Sequence, residues 1–187
     1  IMFNKTISII GGTGHVGLPL GLMFAEKKYK VQLIDIDIKN INKVNKGIMP
    51  FKEDRANIIL KNQIKKKKIF ATNNLELVKL SKYIVICIGT PVNKKLQPET
   101  KNFLSFFKNL KKNLSKNSII IIRSSVYPGI CDKVYDICKN KNNNISYCPE
   151  RIVQGKSLIE LPKLPQIISG FTKKSIDESK NLFSKIS

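Results

Sequence analysis

Thr6-Ile7-Ser8-Ile9-Ile10 is a short β-branched run that stops on glycines, in the segment Gly11-Gly12-Thr13-Gly14-His15-Val16-Gly17. A run this apolar suits a strand buried on both faces rather than one with a wet side. From Val16 to about Lys27 the apolar residues Val16, Leu18, Leu20, Met23 and Phe24 return at helical spacing. The glycines therefore mark a tight strand-to-helix junction, and that junction restricts the chain to very few architectures.

The alternation continues to the end of the chain. Val31 to Asp35 reads as a second strand, and Ile38 to Lys46 as a helix stopped by Gly47. Asp54 is expected to cap a short helix running towards Lys61. Ile69 to Ala71 is a minor strand, Leu75 to Leu80 a short helix, and Tyr83 to Ile88 a strongly apolar strand. An amphipathic helix is expected around Phe103 to Leu114, a strand over Ser118 to Ile122, and a helix near Ile130 to Cys138. Ile145 to Cys148 and Gln166 to Ser169 complete the strands, and Lys173 to Ile186 is helical in pattern. Strands and helices at this interval imply right-handed crossovers. The expected fold is α/β, a Rossmann-like doubly wound and mostly parallel sheet with helices on both faces, forming one domain over residues 1–187.

Composition narrows the partners. With 42% hydrophobic and 25% charged residues among 187, the chain has ordinary globular make-up. No apolar stretch reaches the roughly 20 residues needed to cross a bilayer. Residues 1–5 lead straight into the first strand without a signal-peptide hydrophobic region, so a cytoplasmic location and no membrane partner are expected. The formal charge is +21, but Arg55, Arg123 and Arg151 are the only arginines among 34 basic residues. Readers of phosphates and base edges favour the arginine fork, and the lysines here are dispersed, so no nucleic-acid partner is expected. The dense run Lys65 to Lys68 reads as a solvated loop or helix end. Cys87, Cys131, Cys138 and Cys148 lack Cys-x-x-Cys spacing and His15 is the single histidine, so no metal site is expected. The cysteines read as small buried apolar residues.

The first junction also has the spacing of a dinucleotide cradle. Gly12 permits the turn, Gly14 lets backbone approach a pyrophosphate, and Gly17 lets the helix pack on the strand. His15 and Val16 lie in the same loop, where the first helical amides face the phosphates. His15 is a loop residue beside the phosphate rather than a base. Asp35 lies 18 residues beyond Gly17, at the end of the second strand, where a carboxylate accepts from ribose hydroxyls and repels a 2′-phosphate. The expected cofactor is therefore NAD rather than NADP. Asp37 is expected to be exposed or to cap a helix. Three further strand ends carry polar groups: Gly89-Thr90-Pro91, Arg123-Ser124-Ser125 and Cys148-Pro149-Glu150-Arg151. In open parallel sheets these ends converge on the ligand side.

Taken in order, the motifs resemble the N-terminal domain of the UDP-glucose/GDP-mannose dehydrogenase family. They are Gly12 to Leu18, Ile34 to Asp37, Gly47 to Glu53, Cys87 to Pro91, Ser124 to Gly129, and Pro149-Glu150-Arg151 with Gly155. Pro-Glu-Arg, with Leu164 to Ile167 downstream, is most similar to the branch that oxidises UDP-N-acetylhexosamines. The resemblance implies oxidation of a sugar C6 alcohol to a uronate with two NAD, in nucleotide-sugar metabolism and polysaccharide biosynthesis. It implies that Gly12, Gly14, Asp35 and Thr90, with Pro91 beside them, meet the cofactor. Ser125 would stand at the hydroxyl position, where threonine is usual, and Glu150 at the acid position; both hold the water that hydrolyses a thioester. Gln154 replaces the glutamate of the UDP-glucose branch. The family's nucleophilic cysteine lies in a later domain, so these residues are expected to bind NAD without completing the oxidation, and any homodimer is expected only in a full-length form. Two alternatives remain at this point: a non-catalytic NAD-sensing module, and a dehydrogenase of another substrate class.

Overall fold

The computed structural model describes residues 5–90, 99–142 and 144–186. Seven strands form one sheet: β1 (Thr6–Ile10), β2 (Lys30–Ile34), β3 (Ile69–Thr72), β4 (Tyr83–Ile86), β5 (Ile119–Ile122), β6 (Ile145–Tyr147) and β7 (Ser169–Gly170). Their spatial order is β3-β2-β1-β4-β5-β6-β7. The first six are parallel, and β7 joins the β6 edge antiparallel through Ser146↔Gly170 and Tyr147↔Ser169. Among the described residues seven α-helices lie between and after them: α1 (Gly17–Glu26), α2 (Ile38–Asn45), α3 (Ala56–Lys65), α4 (Thr100–Leu110), α5 (Ile130–Cys138), α6 (Ser157–Glu160) and, after β7, α7 (Lys173–Phe183). Leu75–Leu80 forms a 3₁₀ turn. The α/β doubly wound fold expected from the alternation is the fold observed.

Period-two geometry explains the strand composition. In β5 every residue is isoleucine and none is exposed. Ile119 and Ile121 pack with Leu18, Leu22 and Leu182 on one face, whereas Ile120 and Ile122 meet Phe103, Phe107 and Val134 on the other. A strand covered by helices on both sides needs apolar residues at every position, each worth about 1.5–3 kcal/mol of burial. No helix among the described residues is long and apolar enough to cross a membrane.

Two local expectations are corrected. Asp54 does not cap α3; Arg55 precedes the helix in the left-handed region at φ 58° with no side-chain cap, and the helix runs on to Lys65. The lysine run is thus a helix end, with Lys67 at φ 52°. The expected strand from Gln166 to Ser169 shrinks to Ser169–Gly170. Side chains take the polar groups just before it: Arg151 Nη2 donates to the Pro165 carbonyl, and Gln166 Oε1 accepts from Arg123 Nη1 at 2.9 Å.

Candidate functional site

The sheet order reverses between β1 and β4, so a crevice opens beyond their carboxyl ends, where the doubly wound topology places ligands. The glycine loop forms one wall. Gly11 and Gly12 amides both donate to the Ile34 carbonyl, at 2.9 and 3.2 Å, which ties the loop to the end of β2. A Cβ on Gly12 would lie 2.6 Å from the Ile9 carbonyl oxygen and 2.7 Å from Leu33 Cα, and one on Gly17 would overlap the Gly11 carbonyl. Packing alone demands glycine at both positions. Gly14 differs: its nearest neighbour would be the Gly11 oxygen at an ordinary 3.4 Å, so its outer side is open to a ligand.

The amides of His15, Val16 and Gly17 find no acceptor among the described residues. No side chain caps α1, and its first turn holds no acid. Unsatisfied amides at the start of a 10-residue helix suit a phosphate well. These residues fit the diphosphate of a dinucleotide.

Asp35 stands at the lip of the same crevice. Its Oδ2 accepts from the Thr13 amide at 2.9 Å and the Thr13 hydroxyl at 2.7 Å. Its Oδ1 accepts from the amides of Ile36 and Asp37, at 2.8 and 3.2 Å. Asp37 caps α2, accepting from the Asn40 amide at 3.0 Å.

Across the crevice lies a cleft of about 230 Å³, walled by His15 and Val16 on one side and by the β4, β5 and β6 ends on the other. Thr90 donates its hydroxyl to the Ser125 carbonyl at 2.6 Å, pinning two strand ends together. Pro91 lies outside the described residues. The two serines divide their work. Ser124 turns inward and donates to the Ile88 carbonyl at 2.7 Å, while the exposed Ser125 hydroxyl makes no hydrogen bond among the described residues.

Glu150 is held from both sides. Its Oε2 pairs with Arg123 Nη2, and its Oε1 accepts from the Arg151 amide at 2.7 Å. Its charged partner is therefore a fully buried guanidinium. Arg123 also donates to the Cys148 carbonyl at 3.2 Å and lies 4.7 Å from the Phe183 ring centroid. Its Nε has no partner among the described residues. Burial pushes the Cys87 thiol, on the cleft wall, up to about 12 despite nearby Arg123, and holds Cys131, Cys138 and Cys148 near 11. All four stay protonated near neutrality, unlike a poised nucleophile.

A sequence model described as "UDP-glucose/GDP-mannose dehydrogenase family, NAD binding domain" matches residues 5–187. The chain belongs to this family. Among curated relatives, the UDP-N-acetyl-D-mannosamine dehydrogenase of Methanococcus vannielii is 31% identical over 183 residues, covering 96% of this chain and 42% of the relative. Protein CapL of Staphylococcus aureus is 27% identical, covering 98% and 43%. The solved UDP-N-acetyl-mannosamine dehydrogenase Cap5O from S. aureus superposes with a TM-score of 0.87 at 25% identity, covering 97% of this chain and 45% of that one. The chain therefore spans under half the length of these relatives.

Within this NAD-binding domain of the UDP-glucose/GDP-mannose dehydrogenase family, His15, Val16, Thr90, Ser125 and Glu150 line one cleft, and the glycine loop with Gly12, Gly14 and Gly17 adjoins it, bonded through Thr13 to Asp35. Sequence reasoning missed three features. Arg123 was read only as a strand end, and its pairing with Glu150 joins β5 to the turn after β6. His15 packs against Phe51 with ring centroids 4.0 Å apart and the planes tilted by 32°. Glu53 is buried and accepts from the Ser157 hydroxyl at 3.1 Å, fastening the Gln154 loop beside His15. That loop and His15 border a second, wider cleft of about 650 Å³.

Proposed function

We propose that this chain is the cofactor domain of an NAD-dependent nucleotide-sugar 6-dehydrogenase. Its substrate class is a UDP-N-acetylhexosamine of the UDP-N-acetylmannosamine type, or a UDP-hexose. The observation that carries this reading is the pairing of an unfilled amide cradle at His15, Val16 and Gly17 with a carboxylate, Asp35, fixed beside it.

The cradle holds the cofactor diphosphate, and Asp35 meets the adenosine ribose. Thr90 stands at the strand end that leads towards the sugar. NAD⁺ held there would supply the hydride acceptor, one NAD⁺ for each of the two oxidations. Ser125 and Glu150 orient the hydrolytic water. Arg123 and the Arg151 amide occupy one lone pair on each Glu150 oxygen, which leaves each oxygen able to accept from water. Ser125 supplies a free hydroxyl across the cleft. It keeps the hydrogen-bonding group of threonine with a less restricted rotamer, so water is held more loosely.

No thiol among the four is activated, so thioester formation calls for a cysteine from outside these residues. The isolated 187 residues are expected to bind NAD and to leave UDP-sugars unoxidised. Calorimetry should show saturable NAD binding, weakened at least tenfold in Gly14→Ala with its unfolding midpoint little changed. No NADH should form from UDP-sugars. Absence of NAD binding by the wild type would refute the cofactor reading, and robust NADH formation would refute the dependence on a further cysteine.

A further inference from the structure

We infer that Thr13 is a positioning residue that sets NAD against NADP by clamping the Asp35 carboxylate. The inference rests on the NAD reading above and adds a specificity determinant to it. Thr13 is 1% exposed, and both its amide and its hydroxyl point at one oxygen, Asp35 Oδ2. The other oxygen, Oδ1, is taken by the Ile36 and Asp37 amides. A carboxylate offers about four acceptor directions, and here all four are occupied. The plane of the carboxylate is thereby fixed, because turning it breaks bonds at both oxygens together.

The clamp has its own anchorage. Gly11 and Gly12 amides share the Ile34 carbonyl, the residue before Asp35. The absence of a Cβ on Gly12 lets the loop lie against Leu33. Thr13 therefore meets Asp35 at a distance set by backbone rather than by a flexible side chain. Its β-branch restricts χ1 and so presets the hydroxyl direction.

A fixed carboxylate discriminates in two ways. A ribose hydroxyl reaches it by displacing the Asp37 amide, the longest of the four bonds, while the other three hold the carboxylate in place. It also cannot swing aside to admit a 2′-phosphate, whose charge it repels. Without the Thr13 hydroxyl, Oδ2 keeps only the Thr13 amide bond, and the carboxylate is held less firmly against turning.

Thr13→Val preserves shape and β-branching while removing the hydroxyl, and Thr13→Ser restores a hydroxyl on a less restricted side chain. NADH and NADPH titrations, followed by fluorescence on the full chain, give the ratio of the two dissociation constants. We expect Thr13→Val to lower the NADH preference by about tenfold, the worth of one charge-assisted hydrogen bond, and Thr13→Ser to recover most of it. Loss of general stability would weaken both ligands alike and leave the ratio in place. An unchanged ratio in Thr13→Val overturns the inference, as does tighter binding of both ligands, which would make the hydroxyl a mere competitor for Asp35. Failure of the wild type to bind either ligand would instead strike the NAD reading itself.

Discussion

At the scale of single residues, the most consequential contact is the one between Arg123 and Glu150. Their side chains are 0% and 10% exposed, so the guanidinium is shut off from water and the carboxylate meets it only at the cleft. Removing one member of such a pair strands the other in low dielectric, at a cost of about 3–5 kcal/mol, whereas removing both relieves the demand. Arg123→Met and Glu150→Gln are each expected to lower stability by about that amount in urea unfolding. The double variant should lose clearly less than the two single losses combined. Strictly additive losses would show that the pair is incidental to the fold. The pairing was not legible in the sequence: Arg123 and Glu150 are 27 positions apart. Only the parallel register of β5 and β6, with Ile122 opposite Tyr147, brings their following turns together. Asp35, by contrast, was legible because its place depends on local spacing from a glycine turn.

At the scale of elements, α7 is capped at its start and tied to the sheet at its middle. Thr172 and Ser175 form a reciprocal capping box at its start. Further along, Glu178 Oε2 accepts from the Tyr83 hydroxyl at 2.7 Å and pairs with Lys82 at 2.9 Å, fastening the helix to the head of β4. Burial alone would raise the Glu178 carboxyl, but the hydrogen bonds from Lys82 and Tyr83 and the charges of Lys82 and Lys174 outweigh it, so the group sits below its ordinary 4.5. A depressed carboxyl stabilises the fold above the unfolded value and ceases to do so as pH falls through the folded one. Stability should therefore decline from about pH 4.5 downward. Glu178→Gln should flatten that part of a urea-midpoint profile; an unaltered acid limb would show that α7 is held by its apolar face alone. The helical pattern of α7 was readable from its spacing, and so was the all-isoleucine strand β5. The two-residue β7 was not, because Pro165 and Gln166 give their polar groups to arginine side chains instead of to the sheet edge. The left-handed entry to α3 at Arg55 was equally hidden, since Asp54 beside it carries the stronger capping signature.

At the scale of the whole molecule, the doubly wound order turns dispersed motifs into one site. Four loops, after β1, β4, β5 and β6, end on the same side of the sheet, and residues from His15 to Gln154 line one cleft there. The net charge of +21 favours anionic ligands in general, although dispersed lysines by themselves choose none. Choice comes from the backbone cradle and its carboxylate. The most direct examination of this account follows backbone amide resonances during an NAD titration. The amides of His15, Val16 and Gly17 should shift first and saturate together with those flanking Asp35. Saturable shifts confined to another part of the surface, with these amides unmoved, would contradict it.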